Sequence, residues 1–445
     1  VSDATKPAPP VQPPTKTEPV EGVAPQTGVM ATPKVLTRVG PMFVIGLVFA
    51  TFGVMLALIL PSAFSLSLAI ERIAPGREEI LGWLSAAGSI AALVTGPLVG
   101  VLSDRTRSRL GRRRPFMLGG LAVGLLGLVV LGLASSVALL HVGWILTQLG
   151  WGTATASLLN VQADRLPAEQ RGRVAGLTGF ATMVAPTVGV ALASGIASNL
   201  LLLFVLPGVV GGILLLLFAI FYKDADSRGL TFERLTFAQL GAKYVFDPRK
   251  HPPYAWNWLG RLMFFLGISS TTTFTTFFFA QRLDIPLSQL ASELAFVSLI
   301  GIIGITAGAI GGGFLSDRLG RRRVFIVVGA VGFAIGSVIT ALAPDLLMLI
   351  AGSLVMNLAI GVFTSVDQAI VLDILPERDT DAGRYMALMG LSQGIPNIVA
   401  PLIAGVLITI GTAGEGKNYA ILYWLAGVFV LAGALIIYLR VKTVR

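Results

Sequence analysis

The stretch that decides the fold occurs twice. Gly100-Val-Leu-Ser-Asp104-Arg105-Thr-Arg-Ser-Arg-Leu-Gly111-Arg112-Arg113-Arg114 returns as Gly313-Phe-Leu-Ser-Asp317-Arg318-Leu-Gly320-Arg321-Arg322-Arg323. A second signal follows each copy: Asp164-Arg-Leu-Pro167 with Arg171-Gly172-Arg173, then Asp373-Ile-Leu-Pro376 with Gly383-Arg384. The first pair is displaced by 213 residues (317 − 104) and the second by 209 (373 − 164). The four-residue difference equals the extra length between Arg105 and Gly111 relative to Arg318 and Gly320. One insertion in the first copy therefore accounts for both spacings, and the chain reads as two similar halves.

Outward from these loops the chain is apolar. Of 445 residues, 54% are hydrophobic and 13% charged, and the mean hydropathy is +0.82, against about a quarter charged in a soluble domain. Twelve runs approach the roughly 20 apolar residues that a bilayer span needs, from about 41–66 to about 418–440. The fold class expected is an all-α membrane protein of twelve transmembrane helices in two pseudo-symmetric six-helix bundles. Its parts are a disordered Pro- and Thr-rich tail (1–38), bundles at 39–222 and 254–445, and a polar linker (223–253). Within the linker Phe232, Leu235, Phe237, Leu240 and Tyr244 beside charges predict a short amphipathic helix on the membrane surface.

A net charge of +10 raises the question of nucleic acid, and the positions of the cations answer it. With the N-terminus inside, 28 of the 33 Lys and Arg fall in cytoplasmic segments. Arg72, Arg77, Arg282 and Lys417 fall outside, and Arg261 lies within a span. That is the positive-inside pattern. It predicts a multi-pass protein of the cell membrane with both termini cytoplasmic, and no nucleic-acid partner. The chain has no Cys and only His141 and His251, so thiolate sites are excluded and a histidine metal cluster is not expected. No nucleophile–base pair falls within the spans, so neither an enzyme nor a cofactor is predicted.

The doubled Gly-x-Leu-x-Asp-Arg…Gly-Arg-Arg-Arg motif resembles that of the major facilitator superfamily, over residues 40 to 440. The longer first copy, with Pro115-Phe116 after it and Trp83-Leu84 before it, resembles the plant sucrose transporters and the related glycoside-pentoside-hexuronide cation symporters. The chain departs from the sucrose transporters in helix 4, where they carry a buried Arg and this sequence reads Ser157-Leu-Leu-Asn160-Val-Gln162. It also lacks the helix 2 aspartates of melibiose-type symporters. Both departures count against sucrose itself and against sodium.

The resemblance implies a cytoplasmic gate formed by Gly100, Asp104, Arg105, Arg112, Asp164, Gly313, Asp317, Arg318, Arg321 and Asp373. The glycines would let helix backbones approach. Asp104 and Asp317 would meet the positive N-termini of helices 11 and 5. Asp164 and Asp373 are expected to pair with Arg105 and Arg318, ordinary polar punctuation being the alternative. Arginine-rich turns also set topology, but topology needs neither the Asp nor the Gly.

Asp367 stands out among the 23 carboxylates because it lies six residues before Asp373, about 9 Å deeper along a helix. An ionisable group at that depth is a functional candidate by default. Arg261 in helix 7 lies at a matching depth, so the two are expected to pair as the proton-coupling site, or else as a fixed structural ion pair. Gln148, Trp151, Asn357, Gln368, Gln393 and Asn397 are the candidate solute ligands: amides and a ring suited to a sugar. Thr271, Thr272, Thr273, Thr275 and Thr276 are read as bonding mostly to their own backbone. The function expected is proton-coupled symport of a small polar solute, a sugar or glycoside, by a monomer in the bilayer. The alternatives are an efflux pump for amphipathic compounds and a transport-incompetent sensor.

Overall fold

The computed structural model describes residues 38–222, 224, 227–228, 246–377, 381–410 and 417–441; the tail and the hydrophobic positions of the expected linker helix lie outside them. Among the described residues twelve long helices carry the fold, and there is no strand. They are α1 (Pro41–Ile73), α2 (Ile80–Asp104), α3 (Arg114–Gly132), α4 (Val137–Arg165), α5 (Ala168–Ala193), α6 (Leu200–Phe221), α7 (Pro252–Leu283), α8 (Ala291–Leu319), α9 (Arg322–Leu342), α10 (Leu346–Asp373), α11 (Ala382–Leu407) and α12 (Ala420–Arg440). Eleven are long and apolar enough to cross a membrane. The twelfth, α4, spans by its 29 residues, but His141, Thr147, Gln148, Asn160 and Gln162 make it more polar than the rest.

The helices begin where the sequence supplies a start. Pro41 and Pro252 stand at N1, where a missing N–H is harmless. Asn199 and Asp345 cap α6 and α10 by accepting from the amides of Leu202 (3.2 Å) and Met348 (2.9 Å). α1 carries a π turn at Pro61–Ser65, where the ladder must pass a proline.

Packing repeats between the halves. α3 packs on α4 and α6, α1 on α5 and α6, and α2 on α4; the same relations hold for α9 with α10 and α12, α7 with α11 and α12, and α8 with α10. The register repeats as well. A Cβ on Gly127 of α3 would strike Thr147 and Gly143 of α4, and one on Gly336 of α9 would strike Met356 and Gly352 of α10. Gly127 to Gly336 and Gly143 to Gly352 are both displacements of 209 residues (336 − 127; 352 − 143), the offset that relates Asp164 to Asp373. Small residues at these crossings let backbones touch, which is how helices associate where lipid removes the hydrophobic drive.

The halves meet through α2 with α11 and α5 with α8. Along α2 and α11 the close approaches run from Glu79–Gly405 through Gly82–Pro401 to Leu93–Gly394, all distant from the arginine loops. At that far end Lys417 faces Glu79 (3.4 Å) and Glu78 (3.9 Å), and Thr276 of α7 donates to the carbonyl of Ala63 in α1 (2.8 Å). Toward the motif end the same helices diverge: a Cβ on Gly100 or Gly390 would meet nothing within 4 Å. The close backbone approach expected at Gly100 and Gly313 is therefore absent from this conformation; the nearest atoms to a Cβ on Gly313 are those of Ser365, at 3.8 Å.

Candidate functional site

α7 enters the bundle from Pro252 and α10 leaves it at Asp373, so residues a similar number of turns inside face one another. The structure brings Arg261 and Asp367 together there: Arg261 Nη1 donates to Asp367 Oδ2. Asp367 is 1% exposed and Arg261 9%, so the pair is out of water. Sequence reasoning missed three partners. Asn257, one turn before Arg261, donates to Asp367 Oδ1 at 3.4 Å. Ser392 of α11 accepts from Arg261 Nε at 3.0 Å and passes its own proton to the Met389 carbonyl at 2.6 Å. Phe265 lies under the guanidinium, 5.3 Å from ring centre to Cζ.

The pair thus ties α7, α10 and α11 into one polar knot. Removing either charge would strand the other in an apolar surround, at a cost of about 3–5 kcal/mol. Asn257 Oδ1 is buried with no partner among the described residues, so the knot is one donor short. Tyr254 and Trp258 brace it from the motif end, donating to the carbonyls of Tyr385 (2.6 Å) and Leu388 (2.8 Å) in α11. The signal for Asn257 and Ser392 was absent from the sequence, because polar residues in a span mean little until the helices are placed.

At the motif end each half holds a cation between two carboxylates. Arg113 meets Asp104 at 2.7 Å and Asp164 at 2.9 Å and donates to Ser103; Arg112 adds contacts to Asp164 (2.9 Å) and Asp104 (3.6 Å). Arg322 meets Asp317 at 3.2 Å and also pairs with Asp373. Arg112, expected in the gate, is in the first cluster, on both Asp164 and Asp104. One expectation is corrected: the guanidinium found on Asp373 is that of Arg322, where Arg318 was expected. The central cations are Arg113 and Arg322, each the second arginine of its triplet. Three adjacent arginines are indistinguishable in a pattern, and the start of the next helix decides which of them turns inward. Burial works against the charge on Arg113, and hydrogen bonding and charge from Asp164, then from Asp104, outweigh it and hold the guanidinium above its ordinary value.

The six candidate solute ligands differ in burial. Trp151 is fully buried, its indole against Gly124 of α3, so it packs the N-terminal half and offers no ring to a solute. Trp144 is likewise buried, against Gly88 of α2. Gln148 is partly buried on α4, while Gln368 and Gln393 are exposed, and Asn397, also exposed, accepts from Ser269 of α7. Asn357 is packed on Gly301 of α8.

Known proteins share this architecture. A structure of a D-xylose-proton symporter superposes with a TM-score of 0.69, covering 91% of this chain and 98% of that one at 18% identity, which speaks to the fold alone. A triacylglyceride transporter of Mycobacteroides abscessus is 38% identical over 95 residues, 21% of this chain and 18% of that protein. A glucose transporter of Staphylococcus epidermidis is 40% identical over 78 residues, 18% of this chain and 17% of that protein. The chain thus spans less than a fifth of the length of either curated relative. The family model of the Major Facilitator Superfamily matches residues 42–312 and 303–445. With twelve helices in two repeated bundles and an arginine–carboxylate cluster at the same end of each, the chain belongs to the major facilitator superfamily of membrane transporters.

Proposed function

We propose that this protein moves a small polar solute, a sugar or glycoside, across the cell membrane by proton-coupled symport with alternating access. The observation that carries the reading is the buried Arg261–Asp367 pair, shared among three helices and wrapped by Asn257 and Ser392. A carboxylate parted from its guanidinium in an apolar surround takes up a proton, and re-forming the pair expels it. Rocking of one half against the other changes that distance or the access of water, so proton binding and the side that is open become linked.

Three further observations support the reading. The contacts at Lys417 and Thr276 join the halves at the far end while the motif end diverges, as one end state of such a cycle requires. The 28 Lys and Arg on one side support a cytoplasmic motif end, with both termini there. The similarity to a glucose transporter, together with the long first motif that resembles the sucrose and glycoside symporters, supports the saccharide class. A monomer suffices, because both halves of the gate lie in one chain. The second reading, export of an amphipathic compound, rests on the similarity to a triacylglyceride transporter.

The test is Asp367→Asn, which keeps the shape and one acceptor oxygen for Arg261 but removes the titration. In proteoliposomes with an imposed pH gradient, concentrative uptake is expected to vanish while exchange of solute down its own gradient survives. Retained pH-driven accumulation would place the proton carrier elsewhere and leave the pair a structural one.

A further inference from the structure

Toward the far end, between α5, α7, α8 and α10, lies a cavity of about 390 Å³, within the usual range of roughly 300–1,000 Å³ for a small-molecule site. Its polar wall includes Thr272, Thr275 and Thr276 of α7, Ser298 of α8, and Ser353 and Asn357 of α10, with Thr187 of α5 opposite. None of the residues that line it is charged. The three threonines have spent their protons: Thr272 donates to the Ile268 carbonyl (3.0 Å), Thr275 to that of Thr271 (2.9 Å), and Thr276 across the halves to Ala63 (2.8 Å). What they still offer is lone pairs. Asn357 uses one amide hydrogen on the Ser353 carbonyl (2.8 Å) and retains a second hydrogen and its oxygen.

Gly301 of α8 makes room for that amide, since a Cβ there would come within 3.1 Å of Asn357 Nδ2. A wall of this kind suits an uncharged molecule that brings several O–H donors, and it desolvates a cation or an anion without repayment. We infer that this cavity is a binding site for a neutral, polyhydroxylated solute of monosaccharide size, anchored by Asn357. The identity of that molecule with the transported one rests on the transport reading above; the chemistry of the cavity does not.

The place of the cavity has a mechanistic consequence. Thr272 is eleven residues from Arg261 on α7, and Asn357 is ten from Asp367 on α10, so solute and proton sites lie about 15 Å apart along both helices. Solute and proton do not touch. Coupling between them then passes through α7 and α10, each of which carries one wall of the cavity and one member of the ion pair. Gln148, Gln393 and Asn397 on α4 and α11 are outside the wall.

The absence of cysteine makes the test direct. Ser298→Cys in the full chain, in proteoliposomes, is modified with a small methanethiosulfonate reagent, alone and with D-glucose, D-galactose, D-xylose, uridine or tetraphenylphosphonium. At least one sugar is expected to slow modification several-fold, and the cation is not. Adding Asn357→Leu is expected to raise the protecting concentration of that sugar about tenfold, the loss of roughly one good hydrogen bond. Thr187→Cys on the α5 wall repeats the measurement from the other half. The proposal is overturned if no sugar protects either cysteine, if neither is modified, if the cation or uridine protects where sugars do not, or if Asn357→Leu leaves protection unchanged. The transport reading fails separately, on the absence of pH-driven sugar uptake, and protection is read whether or not uptake occurs.

Discussion

The two motif loops contain the same cation and the same two carboxylates, yet they are not built alike. In the first, the Arg113 side chain is 5% exposed; in the second, that of Arg322 is 25% exposed. The difference lies in what covers them. Asp224, just past α6, accepts from the backbone N–H of Arg113 at 2.7 Å and from the Tyr222 hydroxyl at 3.3 Å. Ser227 donates to the Thr106 carbonyl at 2.7 Å, and its oxygen accepts from the Ser108 amide at 3.0 Å. Thr106 and Ser108 belong to the stretch that the insertion lengthens. The extra residues form a seat on which the start of the interdomain linker rests, and the second copy, four residues shorter, instead sends Arg322 to the Ala369 carbonyl (3.3 Å) of its own half. The shared geometry is that of the cluster; the insertion serves the linker.

The sharpest way to break this comparison is to delete the two central cations. Arg113→Ala removes the buried donor shared by Asp104, Asp164 and Ser103 and leaves the two carboxylates to the more exposed Arg112, at a cost of about 1–3 kcal/mol. Arg322→Ala removes a half-exposed pair worth at most about 1 kcal/mol. Thermal unfolding in detergent should show a several-fold larger fall in Tm for Arg113→Ala. Equal falls would mean that the linker seat adds nothing to the first cluster.

The turn glycines separate the copies next. Gly111 (φ +84°) and Gly320 (φ +60°) both occupy the left-handed region, so alanine costs about 1–2 kcal/mol of backbone strain at either. At Gly320 a Cβ meets nothing within 4 Å, whereas at Gly111 it would strike the Asp224 carboxylate. Gly111→Ala should therefore add the loss of the Asp224 bond, about another 1 kcal/mol. Limited proteolysis should find the α2–α3 loop cut faster in Gly111→Ala, and in Asp224→Ala, than the α8–α9 loop is in Gly320→Ala.

The doubled motif and the 209-residue offset carried the architecture because they are local and written twice, and the close-packed glycines of α3–α4 and α9–α10 obey the same offset. Depth along a helix placed Arg261 and Asp367 on one level. What a linear pattern could not supply was rotation about the helix axis. Arg112 could not be told from Arg113, nor a cavity-facing Asn357 from an exposed Gln393, nor Trp151 in a helix crossing from a ring that faces a solute. The threonines of α7 do bond to backbone, as expected for Thr272 and Thr275, but the same side chains line a cavity. A structural hydrogen bond uses the proton and leaves the oxygen.

The smallest effect is expected at the two motif aspartates, where the copies differ most clearly in role. Asp104 and Asp317 are the motif residues proposed to grip the opposite half when the motif end closes, and here each is held by arginines of its own half while the ends stand apart. Asp→Asn removes the charge that a neighbouring helix N-terminus would favour, a contribution of roughly 0.3–1 kcal/mol when exposed, so closed and open populations should shift by a few-fold at most. Cysteines at Glu169 on α5 and Leu319 on α8, both exposed, allow spin-label distances across the motif end in the otherwise cysteine-free chain. Both variants should lose the shorter distances in favour of the longer. Asp104→Asn should also lower Tm, because its carboxylate is part of the covered Arg113 cluster, whereas Asp317→Asn should change the distances with little effect on Tm. Unchanged distance distributions in both would remove these aspartates from the gate and leave them as partners of Arg113 and Arg322 alone.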